Sequence, residues 1–191
     1  LRKFHCITAG VDIQRAALEL AKTDLWNRNT LRKDHPSGVF RAVDDIWLRM
    51  ADMQRCAQAG TDPSVRFDHR ESVNYPAWYE LHNCRTLVMQ LMATVGGIRL
   101  GRSLISRLRP GARMLPHSDI GKDLTIYYDN EPYYSRYHIV IQGYPGSLFR
   151  CEDETVCMQT GQVWWFRNDL EHEVINNSSE DRIHIVTDIR S

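Results

Sequence analysis

His117-Ser118-Asp119 sets an imidazole and a carboxylate two residues apart. On an extended segment such side chains point the same way, so both can reach one ion. His172 stands at the start of a later apolar stretch. Two imidazoles and one carboxylate on a single face, with coordination positions left open, form the ligand set of a non-haem iron centre. The pair alone is a weak signal. His69-Arg70-Glu71 has the same local geometry, but it sits in a polar stretch with no strand-rich block around it. The plain alternative for His117 and Asp119 is a surface ion pair in the turn after Pro116.

The neighbouring pattern adds weight. In Arg136-Tyr137-His138-Ile139-Val140-Ile141, a two-residue period puts Arg136 and His138 on one face and Tyr137, Ile139 and Ile141 on the other. Arg182-Ile183-His184-Ile185-Val186 repeats this, with Arg182 and His184 opposite Ile183 and Ile185. An interior lined by Arg and His is costly unless an anion or a metal occupies it. A dicarboxylic acid with a chelating keto-acid end would satisfy both arginines through charge-assisted bonds. The plain alternative is that these faces look at solvent.

These residues need a scaffold of short strands. Leu104–Leu108, Ser135–Gln142, Ser147–Cys151, Gln162–Arg167, His172–Asn176 and Arg182–Ile189 all read as strands. Between them lie Arg109-Pro110-Gly111, Gly143-Tyr144-Pro145-Gly146, Thr160-Gly161 and Asn176-Asn177-Ser178-Ser179, turn chemistry suited to antiparallel neighbours. The spacing suggests a sandwich or jelly roll. Residues 1–97 are mixed. Val11–Trp26 fits an amphipathic helix, Val39–Met50 a strand or short helix, and Arg55–Tyr75 a long loop. Pro76–Thr94 fits one helix, with Pro76 in the first turn and Gly96-Gly97 ending it.

The 191 residues favour one domain, with 1–97 as support and 98–191 as the strand-rich core. Lys+Arg and Asp+Glu both total 24, which argues against a nucleic-acid or anionic-membrane footprint. The local run of Arg102, Arg107, Arg109 and Arg113 reads as a solvated face or part of a small-anion site. Five cysteines without metal-type spacing suggest reduced thiols, although Cys151 and Cys157 could face each other across a hairpin. No run approaches the ~20 apolar residues of a membrane span. No signal-peptide pattern opens the chain at Leu1, so a cytoplasmic location is expected.

Arg136-Tyr137-His138, Gly161–Phe166, Leu170-Glu171-His172-Glu173-Val174 and Asp181–Asp188 resemble the aspartyl/asparaginyl β-hydroxylase family. Ser106–His117, with its Pro110-Gly111 and Pro116-His117, is similar too, so the likeness spans residues 98–190. The resemblance implies a mainly β fold with flanking helices, built on a double-stranded β-helix (a jelly roll, cupin-like) that binds Fe(II) and 2-oxoglutarate. It implies that His117 and His172 are metal ligands and that Arg182 holds the distal carboxylate of 2-oxoglutarate with help from Ser106. Arg136 and His138 would lie near the other carboxylate or the substrate. Oxygen (O2) and 2-oxoglutarate would be consumed, giving succinate, carbon dioxide and a hydroxylated C–H. Asp119 is a departure: the animal protein hydroxylases lack this carboxylate ligand, whereas the bacterial L-proline cis-hydroxylases carry it. That counts against an epidermal-growth-factor-like domain as substrate and leaves amino acids and intracellular proteins as partners.

Tyr127, Tyr128, Tyr133, Tyr134 and Tyr137, around Asp129-Asn130-Glu131-Pro132, fall where loops would rim the pocket, and their amphipathic rings could clamp a substrate. In Val43–Arg49, read as a surface strand, Arg49 could meet a substrate carboxyl and Asp44 could add a polar wall. Competing readings are another 2-oxoglutarate-driven oxidation, a non-catalytic cupin-like metal or small-molecule binding module, and an inactive scaffold. The intact set of His117, Asp119, His172 and Arg182 weighs against the last.

Overall fold

A computed structural model of the chain describes residues 2–58, 72–119, 127–128, 131–132 and 134–191, with the side chains of 56–57, 127–128 and 131–132 left out. The first half holds β1 (Phe4–Thr8), α1 (Gln14–Lys22), β2 (Val43–Ala51), α2 (Met53–Gln58), β3 (Ser72–Asn74), α3 (Pro76–Glu80) and α4 (His82–Thr94). Next come β4 (Arg99–Leu108), β5 (Arg113–His117), β6 (Tyr127–Tyr128), β7 (Glu131–Pro132) and β8 (Ser135–Gln142). The chain ends with β9 (Ser147–Cys151), β10 (Glu154–Val156), β11 (Val163–Phe166), β12 (His172–Asn176) and β13 (Arg182–Arg190).

A large antiparallel sheet runs in the order β1-β11-β8-β13-β4-β2-β3, and a smaller one in the order β10-β9-β12-β5. β6 and β7 pair separately. The alternation read from β8 and β13 decides which face goes where. Tyr137, Ile139, Ile141 and Ile185 join Leu20, Trp78, Val88 and Leu91 of the helices in one core on the outer face of the large sheet. Val140, Leu108 and Phe166 of the large sheet meet Phe149, Val174 and Met114 of the small sheet in a second core between the sheets. Two facing antiparallel sheets with helices on one side make a double-stranded β-helix, mainly β with flanking helices. Among the described residues, no helix is long and apolar enough to cross a membrane.

Several expectations change. The single helix over Pro76–Thr94 is two, broken at Leu81 with φ −94° and ψ 73°. The break leaves the first N–H groups of α4 without intrahelical partners. Glu19 of α1 meets that need, accepting from the backbone N–H groups of Asn83 at 3.1 Å and Cys84 at 3.0 Å. Such a cap comes from a distant part of the chain, so local pattern does not reveal it. β2 is no surface strand: it lies between β4 and β3, and all its residues except Arg49 are buried. The expected loop over Arg55–Tyr75 contains the end of α2 and all of β3, and His69-Arg70-Glu71 falls outside the described residues. β1 was not foreseen; it adds an edge to the large sheet by pairing with β11. β4 starts earlier than expected because Gly97 lets the chain pass under β13. A Cβ there would lie 2.5 Å from Ile189 Cγ2.

Candidate metal centre and adjoining cavity

β5 ends on His117 and β12 begins on His172, and the two are directly paired in the small sheet. Strand register therefore brings the two imidazoles together, with ring centroids 4.4 Å apart. Past β5, the Asp119 N–H donates to Asn168 O at 3.0 Å, which turns its carboxylate back toward the rings. Asp119 Oδ1 lies 3.7 Å from His117 Nε2, and Oδ2 lies 3.5 Å from His172 Nε2. One ligand atom from each residue falls within 4.8 Å of the others.

The backbone sets the chemistry of both rings. His117 Nδ1 donates to Leu115 O at 2.8 Å, and His172 Nδ1 donates to Leu170 O at 2.9 Å. With the proton on Nδ1, the lone pair is on Nε2, the atom turned to Asp119. Burial pushes His117 down to about 4 against the upward pull of Asp119, so it is neutral near pH 7 and ready to ligate. Burial alone would raise the Asp119 carboxyl. The charge of Arg136, with that of Arg102 and the pull of the two neighbouring histidine rings, outweighs it and holds the group well below the usual carboxylate range.

The arginine that controls Asp119 is itself held. Arg136 Nη1 reaches Asp119 Oδ2 at 2.5 Å, while its Nε and Nη2 donate to the two oxygens of Asp188 at 2.7 and 2.8 Å. Arg102 Nε joins Asp188 Oδ2 at 3.1 Å. Arg136 thus lines the cavity, but its guanidinium is committed to two carboxylates of the chain itself. The other arginines of the basic run are likewise paired. Arg107 and Arg109 bind Asp44, and Arg113 binds Glu173, so the run is neither a simple solvated face nor, apart from Arg102, part of the cavity.

A cavity of about 280 Å³ opens beside the triad and is lined by Ser106, Arg136, His138 and Arg182 as well as the three candidate ligands. Arg182 is 3% exposed, and no carboxylate among the described residues pairs with it. Burial pulls it down to about 9. Ser106 lies across from His184 in the β4–β13 pairing, and its buried Oγ has no hydrogen-bond partner among the described residues. His138 packs on Phe149 and Phe166 and meets His184 through its Nδ1 at 3.2 Å.

Other candidates lie elsewhere. Arg49 follows a register shift in the β2–β4 pairing and donates to Gly101 O at 3.3 Å, Ser72 O at 2.7 Å and Asn74, outside the cavity. Tyr134 is buried against Gly101 and does not line the cavity either. Tyr127 and Tyr128 lie in β6, but their side chains are outside the described residues, as is all of Tyr133. Cys151 and Cys157 do not face each other as a pair: their thiols go to Arg167 O at 3.6 Å and Tyr144 O at 3.3 Å.

One wall went unforeseen. The segment before β2 supplies Leu31, Arg32, His35, Val39 and Phe40 to the cavity. Phe40 sits edge-on to His117 with centroids 5.0 Å apart, and Arg32 covers Phe40 at 4.0 Å while binding Asp45 at 2.6 Å. Asp44 holds the same segment through Lys33 at 2.8 Å and Asn27 at 2.6 Å. The adjacent acids Asp44-Asp45 on a buried strand were the available signal, since buried carboxylates require cationic partners.

Fold and site together give a double-stranded β-helix with a candidate metal site of two histidines and one carboxylate. Residues 75–191 match the aspartyl/asparaginyl β-hydroxylase family, more than half of the chain, and the chain belongs to that family. By that membership it is a hydroxylase. Among solved structures, a viral collagen prolyl hydroxylase from Paramecium bursaria Chlorella virus-1, described as a 2-oxoglutarate complex, is 10% identical. The match covers 100% of this chain and 96% of that one, with a TM-score of 0.56. A Pseudomonas putida prolyl-4-hydroxylase is 16% identical over 98% of this chain and 90% of its own, with a TM-score of 0.51. At these identities the likeness bears on the fold. No curated protein matches the sequence.

Proposed function

We propose that residues 1–191 act as one oxygenase unit, an Fe(II)- and 2-oxoglutarate-dependent dioxygenase that hydroxylates a C–H bond. The substrate is an amino acid or a protein or peptide side chain of the Asp, Asn or Pro type, and succinate and CO2 are the co-products. The observation that carries this reading is Arg182. It is a buried guanidinium that meets no carboxylate among the described residues, in the same cavity as the triad and a Ser106 Oγ that likewise has no partner among them. A buried charge is tolerated when an opposite charge meets it, so the cavity is built for an anion.

The residues present fit the groups. His117 offers a neutral Nε2, His172 an Nε2 turned to Asp119 by its Nδ1 bond to Leu170 O, and Asp119 an ionised carboxylate, a donor set suited to Fe(II) with positions left open. Iron, when bound, supplies the activation of oxygen needed to attack a C–H bond. The chain supplies the rest. Arg182 and Ser106 bind the distal carboxylate of 2-oxoglutarate, and Arg136 keeps Asp119 ionised and oriented. Phe40, Phe149 and Phe166 shield the ligands from water. Tyr127 and Tyr128 remain proposed contacts at the rim. The balanced charge of the chain supports neither a nucleic-acid nor a membrane partner.

The test is turnover. Iron-loaded protein given 2-oxoglutarate and oxygen should form succinate, Arg182→Ala should lose this, and an accepted amino acid or peptide should gain the mass of one oxygen. Folded, iron-loaded protein that leaves 2-oxoglutarate unchanged with every candidate would favour the binding-module alternative.

A further inference from the structure

His184 is fully buried and stands between two groups that line the cavity. Arg182 Nη2 lies 3.1 Å from His184 Nδ1, and His138 Nδ1 lies 3.2 Å from the same nitrogen. A guanidinium only donates, so His184 Nδ1 must carry a lone pair. His138 Nδ1 must then be the donor in the contact between the rings, which puts its proton on Nδ1 and its lone pair on Nε2. Neither ring is an imidazolium: burial, followed by the charge of Arg182, pushes both well below the ordinary histidine range. The remaining proton of His184 is on Nε2, which is buried and meets no acceptor among the described residues. An unmet donor in the core works against folding. The two contacts at Nδ1 give a reason for keeping it.

We propose that His184 is a positioning residue: its bare Nδ1 holds the Arg182 guanidinium in place for a bound carboxylate and locks His138 as the Nδ1–H tautomer. With Nδ1 turned to His184, His138 offers the cavity a lone pair at Nε2. An N–H or O–H of a bound molecule can donate to it there. The Arg182 half rests on the co-substrate reading above; the tautomer of His138 does not.

Two measurements on the full chain test it. In the wild type labelled with ¹⁵N-histidine, NMR at neutral pH should show His138 protonated on Nδ1 and His184 on Nε2, the resonances being assigned with His138→Phe and His184→Asn. A His138 protonated on Nε2, or an imidazolium at either position, would overturn the proposal without any variant having to fold. Binding of 2-oxoglutarate to Mn(II)-loaded protein tests the other half. His184→Asn, whose Oδ1 replaces the acceptor, should stay within about threefold of wild type, and His184→Leu should bind at least about tenfold more weakly with Mn(II) affinity unchanged. Equal weakening by both variants, or none by either, contradicts the positioning role. If the wild type binds no 2-oxoglutarate and Arg182→Ala changes nothing, the co-substrate reading fails together with the Arg182 half. The NMR pattern then decides the His138 half alone.

Discussion

The two ends of the cavity are built on opposite principles. At the metal end, every charge already has a partner: Asp119 meets Arg136, and Asp188 receives both Arg136 and Arg102. At the other end, among the described residues, Arg182 meets no carboxylate and the buried Ser106 Oγ has no partner. The first end is set in place by the chain's own ion pairs, so its ligands stand ready before a metal arrives. The second is complete only when an anion fills it, which makes it costly for the fold and useful for binding.

The sharpest way to break this contrast is to unbalance the satisfied end. Asp188→Ala leaves Arg102 and Arg136 buried without their shared carboxylate and should destabilise the protein by about 3–5 kcal/mol in urea unfolding. A change below about 1 kcal/mol would mean that the ion pairs do not hold the metal end together. At the unsatisfied end the signs reverse. Arg182→Ala should weaken 2-oxoglutarate binding by about 10- to 100-fold while leaving the melting temperature of the ligand-free protein unchanged or higher, because it removes a buried charge that no carboxylate among the described residues meets. Calorimetric titration and a thermal melt of the same sample check both signs together.

The paired histidines give a smaller, pH-dependent effect. His138 and His184 have folded pKa values well below the usual 6.5, so below that pH the unfolded chain takes up protons that the folded chain refuses. Stability is then full above about pH 6.5 and falls as pH drops toward the folded values, by about 1.4 kcal/mol per pH unit for each ring. Melts at pH 7.5 and 5.0 should show the fall, and His138→Phe should reduce it. A profile equally steep in that variant would place the effect elsewhere. The smallest expected change is at Arg49, whose bonds lie outside the cavity. Arg49→Ala should leave 2-oxoglutarate affinity within about twofold and cost about 1 kcal/mol of stability; a larger affinity loss would return it to the binding site.

Much of this arrangement was legible in the sequence, and the parts that were not share a cause. The two-residue alternation of Arg136 with His138, and of Arg182 with His184, predicted a charged face opposite an apolar one, and both strands are built so. His117-x-Asp119 and His172 were legible as residue types, but their approach depends on a strand register that joins distant parts of the chain. The Leu31–Phe40 wall escaped notice because Asp44 and Asp45 anchor it across sequence, with no local period to mark it. The break at Leu81 escaped for the same reason, since its compensation is Glu19. Arg136 shows the limit on the chemical side: its type was read correctly, but its commitment to Asp119 and Asp188 is a fact of packing.

The central claim is that one cavity holds Fe(II) at one end and 2-oxoglutarate at the other. Its most direct test is anaerobic: add Fe(II), then 2-oxoglutarate, and look for the visible charge-transfer band of the chelate, repeating with Asp119→Ala and Arg182→Ala. The account predicts a band in the wild type that is lost or weakened in both variants, with Arg182→Ala still binding iron. Folded, iron-loaded wild type without a band, or a band indifferent to both substitutions, would contradict it.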